Sequence, residues 1–387
     1  MKLSPQAMGV DISRIRELAV LADKIPGVYR LYFGESNIPT PDFIKMAAQK
    51  AIEESYTFYT PNAGYLELRQ AISEKVMELQ GLRYDPETEI IVTGSGVTAL
   101  LLAIFTLLDR GGKALILSPA WPNSKSIVQM VGGIPIEVPL VEGKNRYLLD
   151  LDRIRGAIDN RTKLLIFISP SNPLGWVASQ EEQRALAELA RENGIAILSD
   201  EVYERIVYDG PVAPSIAKVA PQREGIIIAH SFSKSYCMTG WRVGYCLGPR
   251  EAIAQMIKLQ EFVVSHPSSI SQRAAITALR EGEGFVKEMV ERYRRQRDFM
   301  YSRLSRMKGL EVKKPEGAFY IFPRVAGVKD SFQFAEDLLR KKAVGVAPGC
   351  AFGLGGEGCI RLCYAAEEGV MAPALDRLEE YLEERSW

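Results

Sequence analysis

From about residue 88 onward, short and nearly continuous apolar runs alternate with stretches of helical period. "EIIVTG" reads as a strand, and "VTALLLAIFTLL" as the helix after it. "KALILSPAW", "KLLIFISPSNP", "IAILSDEVY" and "GIIIAHSFSK" read as further strands, each emptying into a polar loop. Between two of them, "SQEEQRALAELARENG" carries a helix signature: Ser179 as N-cap, Glu182 at the capping-box position and Gly194 at the close. Runs of Val, Ile and Leu without polar alternation predict strands buried on both faces of a mostly parallel sheet, hence an α/β fold.

The texture changes after about residue 282. "FVKEMVERYRRQRDFMYSRLSRM" predicts one long charged amphipathic helix, "GAFYIF" and "GCIRLCYA" predict strands, and "VMAPALDRLEEYLEERSW" predicts a closing helix. That is the pattern of a smaller α+β domain. The expected division is a large domain over 46–282, a small domain over 283–387, and an N-terminal segment, 1–45, that packs with the small one.

Composition narrows the function classes. The 387 residues are 47% hydrophobic, enough for a substantial core, and 48 basic residues balance 48 acidic ones. No net field draws the chain to nucleic acid or to an anionic membrane. The N-terminus lacks the apolar core of a signal peptide, and "ALLLAIFTLL" (99–108) is too short to span a bilayer. Five cysteines form no CxxC pair and there are two histidines, so neither a disulfide framework nor a zinc site is expected. A cytoplasmic protein without a metal is the expectation.

In open α/β sheets, ligands sit beyond the carboxyl ends of the strands. The residues just past each strand are therefore informative. The first strand delivers Ser95, Gly96 and Val97 at a helix start; the next delivers Trp121. The others deliver Asn172, then Asp200 with Tyr203, then Ser231, Ser233 and Lys234, with Arg242 close behind. Singly, each has an ordinary explanation as a turn, a cap, a core phenol or a surface ion pair. Their arrival at one sheet edge argues for a site. No GxGxxG is present, so a dinucleotide is not supported.

A lysine at the end of a buried strand is a candidate Schiff-base nucleophile. Pyridoxal phosphate would use the rest of the set. Its phosphate needs a helix N-terminus with hydroxyl and guanidinium donors, which Ser95, Gly96, Val97, Ser231, Ser233 and Arg242 offer. Its pyridine nitrogen needs a carboxylate, as at Asp200, to stay protonated. Tyr203 and Asn172 suit its phenolic oxygen, and Trp121 its ring face. Lys234, once displaced by a substrate amine, would be free to move a proton as general base and acid.

These residues, taken in order, give the chain a resemblance to a known family. "SFSKSYCMTGWRVGY" is similar to the cofactor-lysine signature of the class I/II aminotransferases, pyridoxal-phosphate enzymes of fold type I and aspartate aminotransferase-like. "VTGSGVTAL", "SPAWPNSKS", "SPSNPLG", "SDEVY", "PEGAFYIFP" and "GCIRLCYA" stand in the family's order, covering about residues 31–365. The resemblance implies a seven-stranded-type sheet with helices on both faces. It also implies that Arg361 grips the substrate α-carboxylate with Gly34 and Asn172 close by, and that Tyr59 reaches the phosphate of the neighbouring subunit in a homodimer. Departures from the pattern stand at Ser36, Asn37, Leu174, Cys237 and Cys350; none removes a catalytic group.

The expected activity is transfer of an amino group from an L-amino acid to a 2-oxo acid, with an aspartate- or aromatic-type donor and 2-oxoglutarate as acceptor. Two alternatives share the site: a β-eliminating C–S lyase or cyclopropane-forming synthase, and a non-enzymatic cofactor-binding regulator. The regulator is disfavoured because no basic helical module precedes residue 31.

Overall fold

The computed structural model describes residues 1–220 and 223–385, apart from the side chains of residues 5 and 6. Its centre is a seven-stranded sheet. The strands are β1 (Ile90–Thr93), β2 (Lys113–Ser118), β3 (Ile134–Pro139), β4 (Thr162–Ile168), β5 (Ala196–Asp200), β6 (Ile226–Ser231) and β7 (Gly244–Leu247). They lie side by side in the order β1, β7, β6, β5, β4, β2, β3.

β2 to β6 pair in parallel, while β7 runs antiparallel to both β6 and β1. A parallel return needs a crossover element, usually a helix. Residues 232–243, which join β6 to β7, hold a single helical turn (Phe232–Ser235) and a 3-10 turn (Thr239–Trp241), so the chain comes straight back.

Side chains of the unbroken apolar runs divide between two cores. Ile90, Val92, Leu115 and Leu117 join the core on one face; Ile91, Ala114 and Ile116 join the other. Each fully buried aliphatic side chain contributes about 1.5–3 kcal/mol, so a sheet covered twice is held firmly in register.

The helices that matter for the cleft begin at capped ends. α1 (Arg14–Ala22) starts after Ser13, whose Oγ accepts from Arg16 N–H at 3.4 Å. α2 (Gly96–Leu107) starts where β1 ends, with Ser95 Oγ accepting from Thr98 N–H at 3.0 Å. α3 (Gln180–Glu192) has the full capping box: Glu182 N–H donates to Ser179 Oγ at 3.1 Å and Ser179 N–H to Glu182 Oε2 at 2.8 Å. Its C-cap is Asn193, one residue earlier than expected, and Gly194 takes the next, left-handed position at φ 64°.

Beyond residue 282 lie the long helix α4 (Glu283–Leu304) and the closing helix α5 (Glu368–Glu383). A three-stranded antiparallel sheet pairs β8 (Tyr320–Ile321) and β9 (Ala347–Pro348) on either side of β10 (Ile360–Cys363). Tyr29–Arg30 pairs in parallel with Val344–Gly345, so the early chain is stitched to this region by backbone hydrogen bonds.

Candidate active site

A cleft of about 660 Å³ opens beyond the carboxyl ends of the central strands. Gly34, Gly96, Val97, Trp121, Asn172, Asp200, Tyr203, Ser231, Ser233, Lys234, Arg242 and Arg361 all line it.

Lys234 sits in the helical turn after β6, where Ser231 Oγ accepts from Ser233 N–H at 3.2 Å and fixes the start of that turn. Its Nζ donates to the Gly34 carbonyl at 2.6 Å. Protein packed around the amine pulls its pKa down to about 8, and the positive Arg361 and Arg242 push the same way, against Cys363 and Glu35. A neutral amine is therefore accessible near physiological pH.

Asp200 ends β5 and is 2% exposed. The Val202 N–H reaches its Oδ1 at 3.3 Å. Burial pushes this carboxyl up to about 7, with the Val202 amide and the charge of Lys234 opposing. A buried acid so thinly served with donors is suited to a cationic N–H from a ligand.

Arg361, 2% exposed on β10, donates from Nη1 to Asn172 Oδ1 at 2.8 Å and from Nη2 to the Tyr32 carbonyl. Its Nε is buried without a hydrogen-bond partner. The guanidinium lies over the Tyr320 ring, 4.5 Å from its centroid, and the Phe352 ring, 4.9 Å away. Because Asn172 spends its oxygen on Arg361, its amide N–H groups are left for a ligand.

Tyr203 shares a 2.7 Å hydrogen bond with the Tyr320 hydroxyl, and burial raises its pKa well above the usual range. Tyr320 was not among the residues the sequence pointed to: in "GAFYIF" it looks like one more buried strand aromatic. Tyr32, Phe33, Glu35, Thr239 and Arg16 also line the cleft without a local sequence signal to mark them.

At the start of α2, a Cβ built on Gly96 would stand 3.1 Å from Ser231 Cβ. A bare backbone thus closes on the serine, and Gly96 and Val97, the first residues of the helix, line the cleft with Ser231, Ser233 and Arg242. Arg242 has φ 54° and tethers Nη1 to the Thr239 carbonyl at 2.7 Å. Ser95 does not line the cleft; its hydroxyl caps α2 and bonds to Thr98 Oγ1 at 3.0 Å. Tyr59 is 91% exposed, with its ring edge-on to His266, and does not line this chain's own cleft.

Pyridoxal phosphate fits this donor set. The orphaned Arg361 Nε, the buried Asp200 carboxyl and the side-chain-free approach at Gly96 each match a demand of a substrate carboxylate, a pyridine nitrogen or a phosphate. Glu201, Glu204 and His230 form a separate buried group beneath the site, with His230 Nδ1 3.5 Å from Glu204 Oε1.

The family model described as aminotransferase class I and II matches residues 27–378. The aromatic-amino-acid aminotransferase 2 of Thermococcus litoralis is 38% identical, over 100% of this chain and 99% of the relative. The aspartate aminotransferase of Pyrococcus horikoshii is 38% identical, over 96% of this chain and 95% of its own. Among solved structures, a single mutant of the Thermus thermophilus aspartate aminotransferase superposes with a TM-score of 0.92 at 36% identity, covering 98% of this chain and 99% of that one.

Proposed function

The chain belongs to the class I and II aminotransferases, a pyridoxal-phosphate-dependent family, and from that premise we propose how its residues divide the work and which amino acids it serves. It is a transaminase: an L-amino acid gives up its amine and a 2-oxo acid receives it. Bound in the cleft, pyridoxal phosphate supplies an electron sink for the bonds at the substrate Cα.

Lys234 would hold the cofactor covalently, and its amine, once free, would take and return the proton at the substrate Cα. An amine brought to about 8 by burial is suited to both tasks. Asp200 would keep the cofactor's ring nitrogen protonated. Asn172 and Tyr203 would serve its ring oxygen, and Trp121 would lie against its ring. Gly96, Val97, Ser231, Ser233 and Arg242 hold the phosphate, with Ser95 supporting them as the cap of α2. Arg361 grips the α-carboxylate, using its free Nε, while Asn172 and Gly34 fix its surroundings. The observation that carries this reading is the meeting of Lys234 and Asp200 in one cleft, the amine depressed and the acid raised.

The names of the relatives support an aspartate- or aromatic-type donor; 2-oxoglutarate is the acceptor we propose for it. We place the functional unit as a homodimer in which Tyr59 serves the neighbouring subunit's phosphate. Its exposed ring, which does not line its own chain's cleft, supports that reading. We take 46–282 as the cofactor-binding domain and 283–387 as the small domain that 1–45 joins, a division supported by the pairing of Tyr29–Arg30 with Val344–Gly345. A cytoplasmic setting accords with five free cysteines.

A donor-and-acceptor panel tests the function. Incubation with an L-amino acid should change the cofactor's absorbance and release the matching 2-oxo acid, and 2-oxoglutarate should reverse the change. Pyruvate and ammonia from a cysteine conjugate, without any need for an acceptor, would identify a lyase instead.

A further inference from the structure

The loop that joins the Lys234 turn to β7 carries Arg242, and its own backbone resists the shape it takes. Cys237 and Arg242, near its two ends, stand in the left-handed region at φ 52° and φ 54°, though neither is glycine. A residue with a Cβ pays free energy to be there. Between them lies only the 3-10 turn Thr239–Trp241. Such a loop keeps its shape when contacts from outside over-determine it.

Those contacts come from the segment 34–40, far earlier in the chain. Glu35 accepts from the Thr239 hydroxyl. Thr40 holds the loop at two points: its Oγ1 donates to the Cys237 carbonyl at 2.6 Å and accepts from Trp241 Nε1 at 2.9 Å. One hydroxyl thus spends its proton on one end of the loop and a lone pair on the other. We infer that Thr40 is a positioning residue for the cofactor's phosphate, acting through Arg242, an inference that rests on the pyridoxal-phosphate reading above.

The connection from Thr40 to Arg242 is short. Trp241 precedes Arg242 directly, and it is gripped twice, by Thr40 at its indole and by Ser271 Oγ, which donates to its carbonyl at 2.9 Å. With Cys237 and Trp241 both fixed, the Thr239 carbonyl between them stays where it receives Arg242 Nη1 at 2.7 Å. That bond aims the guanidinium at the cleft it shares with Ser231 and Ser233. Thr40 is itself well anchored. Pro41, the next residue, is the N-cap of the helix Asp42–Glu53, which buries Ile44, Ala48 and Ala51. A valine at position 40 would keep the shape of the side chain and lose both bonds. The loop would then relax from its left-handed conformations, and phosphate binding would have to restore them.

The test removes the cofactor from the holoenzyme and rebinds two probes: pyridoxal phosphate, and pyridoxal, which has the same ring and aldehyde without the phosphate. Thr40→Val should weaken pyridoxal phosphate about 5- to 150-fold, the worth of two hydrogen bonds, and pyridoxal less than about twofold. Thr40→Ser keeps the hydroxyl and should bind both within about threefold of wild type. In an Arg242→Gln background, Thr40→Val should cost pyridoxal phosphate much less than it does alone, because the two residues act in series. Should Thr40→Val fail to fold, Trp241→Phe removes one of the two bonds and should show the same phosphate dependence at about 2- to 12-fold. Equal weakening of both probes, unchanged pyridoxal phosphate binding in Thr40→Val, an equal loss in Thr40→Ser, or a full loss in the Arg242→Gln background would overturn the inference. A wild-type protein that binds neither probe would instead overturn the pyridoxal-phosphate reading itself.

Discussion

A Cβ placed on Gly34 would come within 2.3 Å of the Tyr320 hydroxyl oxygen. Gly34 offers its carbonyl to Lys234 and Tyr320 offers its hydroxyl to Tyr203, so this one close approach ties the early segment, the β8 strand and the cofactor lysine together.

Gly34→Ala should therefore displace Tyr320 and reduce activity, at an overpacking cost of about 1–3 kcal/mol. Tyr320→Phe removes the clashing oxygen, leaving the ring's Cζ at 3.2 Å from the added methyl. The double variant should then be more stable than the sum of the single effects, with a coupling of about 0.5–3 kcal/mol in a urea-unfolding cycle. Strict additivity would mean the two residues do not meet.

Arg361→Ala should raise KM for every amino acid alike, because the α-carboxylate is common to all. Loss of one charge-assisted pair is worth about 1.5–3 kcal/mol, or roughly 10- to 150-fold in affinity. Steady-state kinetics across neutral and acidic donors checks this. A loss confined to acidic donors would assign Arg361 to the side chain instead.

In cofactor-free protein, the Asp200 carboxyl lies at about 7 rather than its ordinary 3.8. The folded state binds its proton more tightly than the unfolded chain between those values. Stability contributed by Asp200 must therefore fall as pH rises through that window. Asp200→Asn removes the titration, so the variant should gain on wild type between pH 5 and pH 8. Glu201, pushed up to about 8 by burial, drifts in the same direction but remains in both proteins. Urea midpoints of both proteins at the two pH values give the comparison; a gap that does not widen with pH would show that Asp200 is not held neutral by burial.

If Tyr59 serves the neighbouring site, Tyr59→Ala and Lys234→Ala subunits should complement each other. A mixed dimer would then hold one site lacking both groups and one site intact. Random assortment of equal amounts should restore about a quarter of wild-type activity. Tyr59 acting in its own chain's site predicts no restoration on mixing.

Much of this architecture is legible in the chain itself. β1, β4, β5 and β6 announce themselves because both faces are buried, and the runs contain little but Ile, Leu, Val and Ala or Phe. β3, "IPIEVP", is hidden: it is an edge strand, partly exposed and bracketed by prolines, which weakens every strand signal. The reversed direction of β7 depends on what the linker lacks, a crossover helix, and apolar pattern alone does not report direction. In the cleft, residues at the ends of long strands were readable by topology. Tyr320 lies on a two-residue strand, and Arg16 on a surface helix turn outside the alternating pattern, so nothing local distinguishes either from an ordinary core phenol or a solvated arginine.

Every role proposed for the cleft depends on the Lys234 amine as the cofactor's covalent anchor. Protein loaded with pyridoxal phosphate, reduced with borohydride and digested, can be read by peptide mass spectrometry. A single stoichiometric phosphopyridoxyl adduct should appear on the peptide containing Lys234, formed faster as pH rises through about 8 and absent in Lys234→Ala. An adduct on another lysine, or none at all, would contradict it.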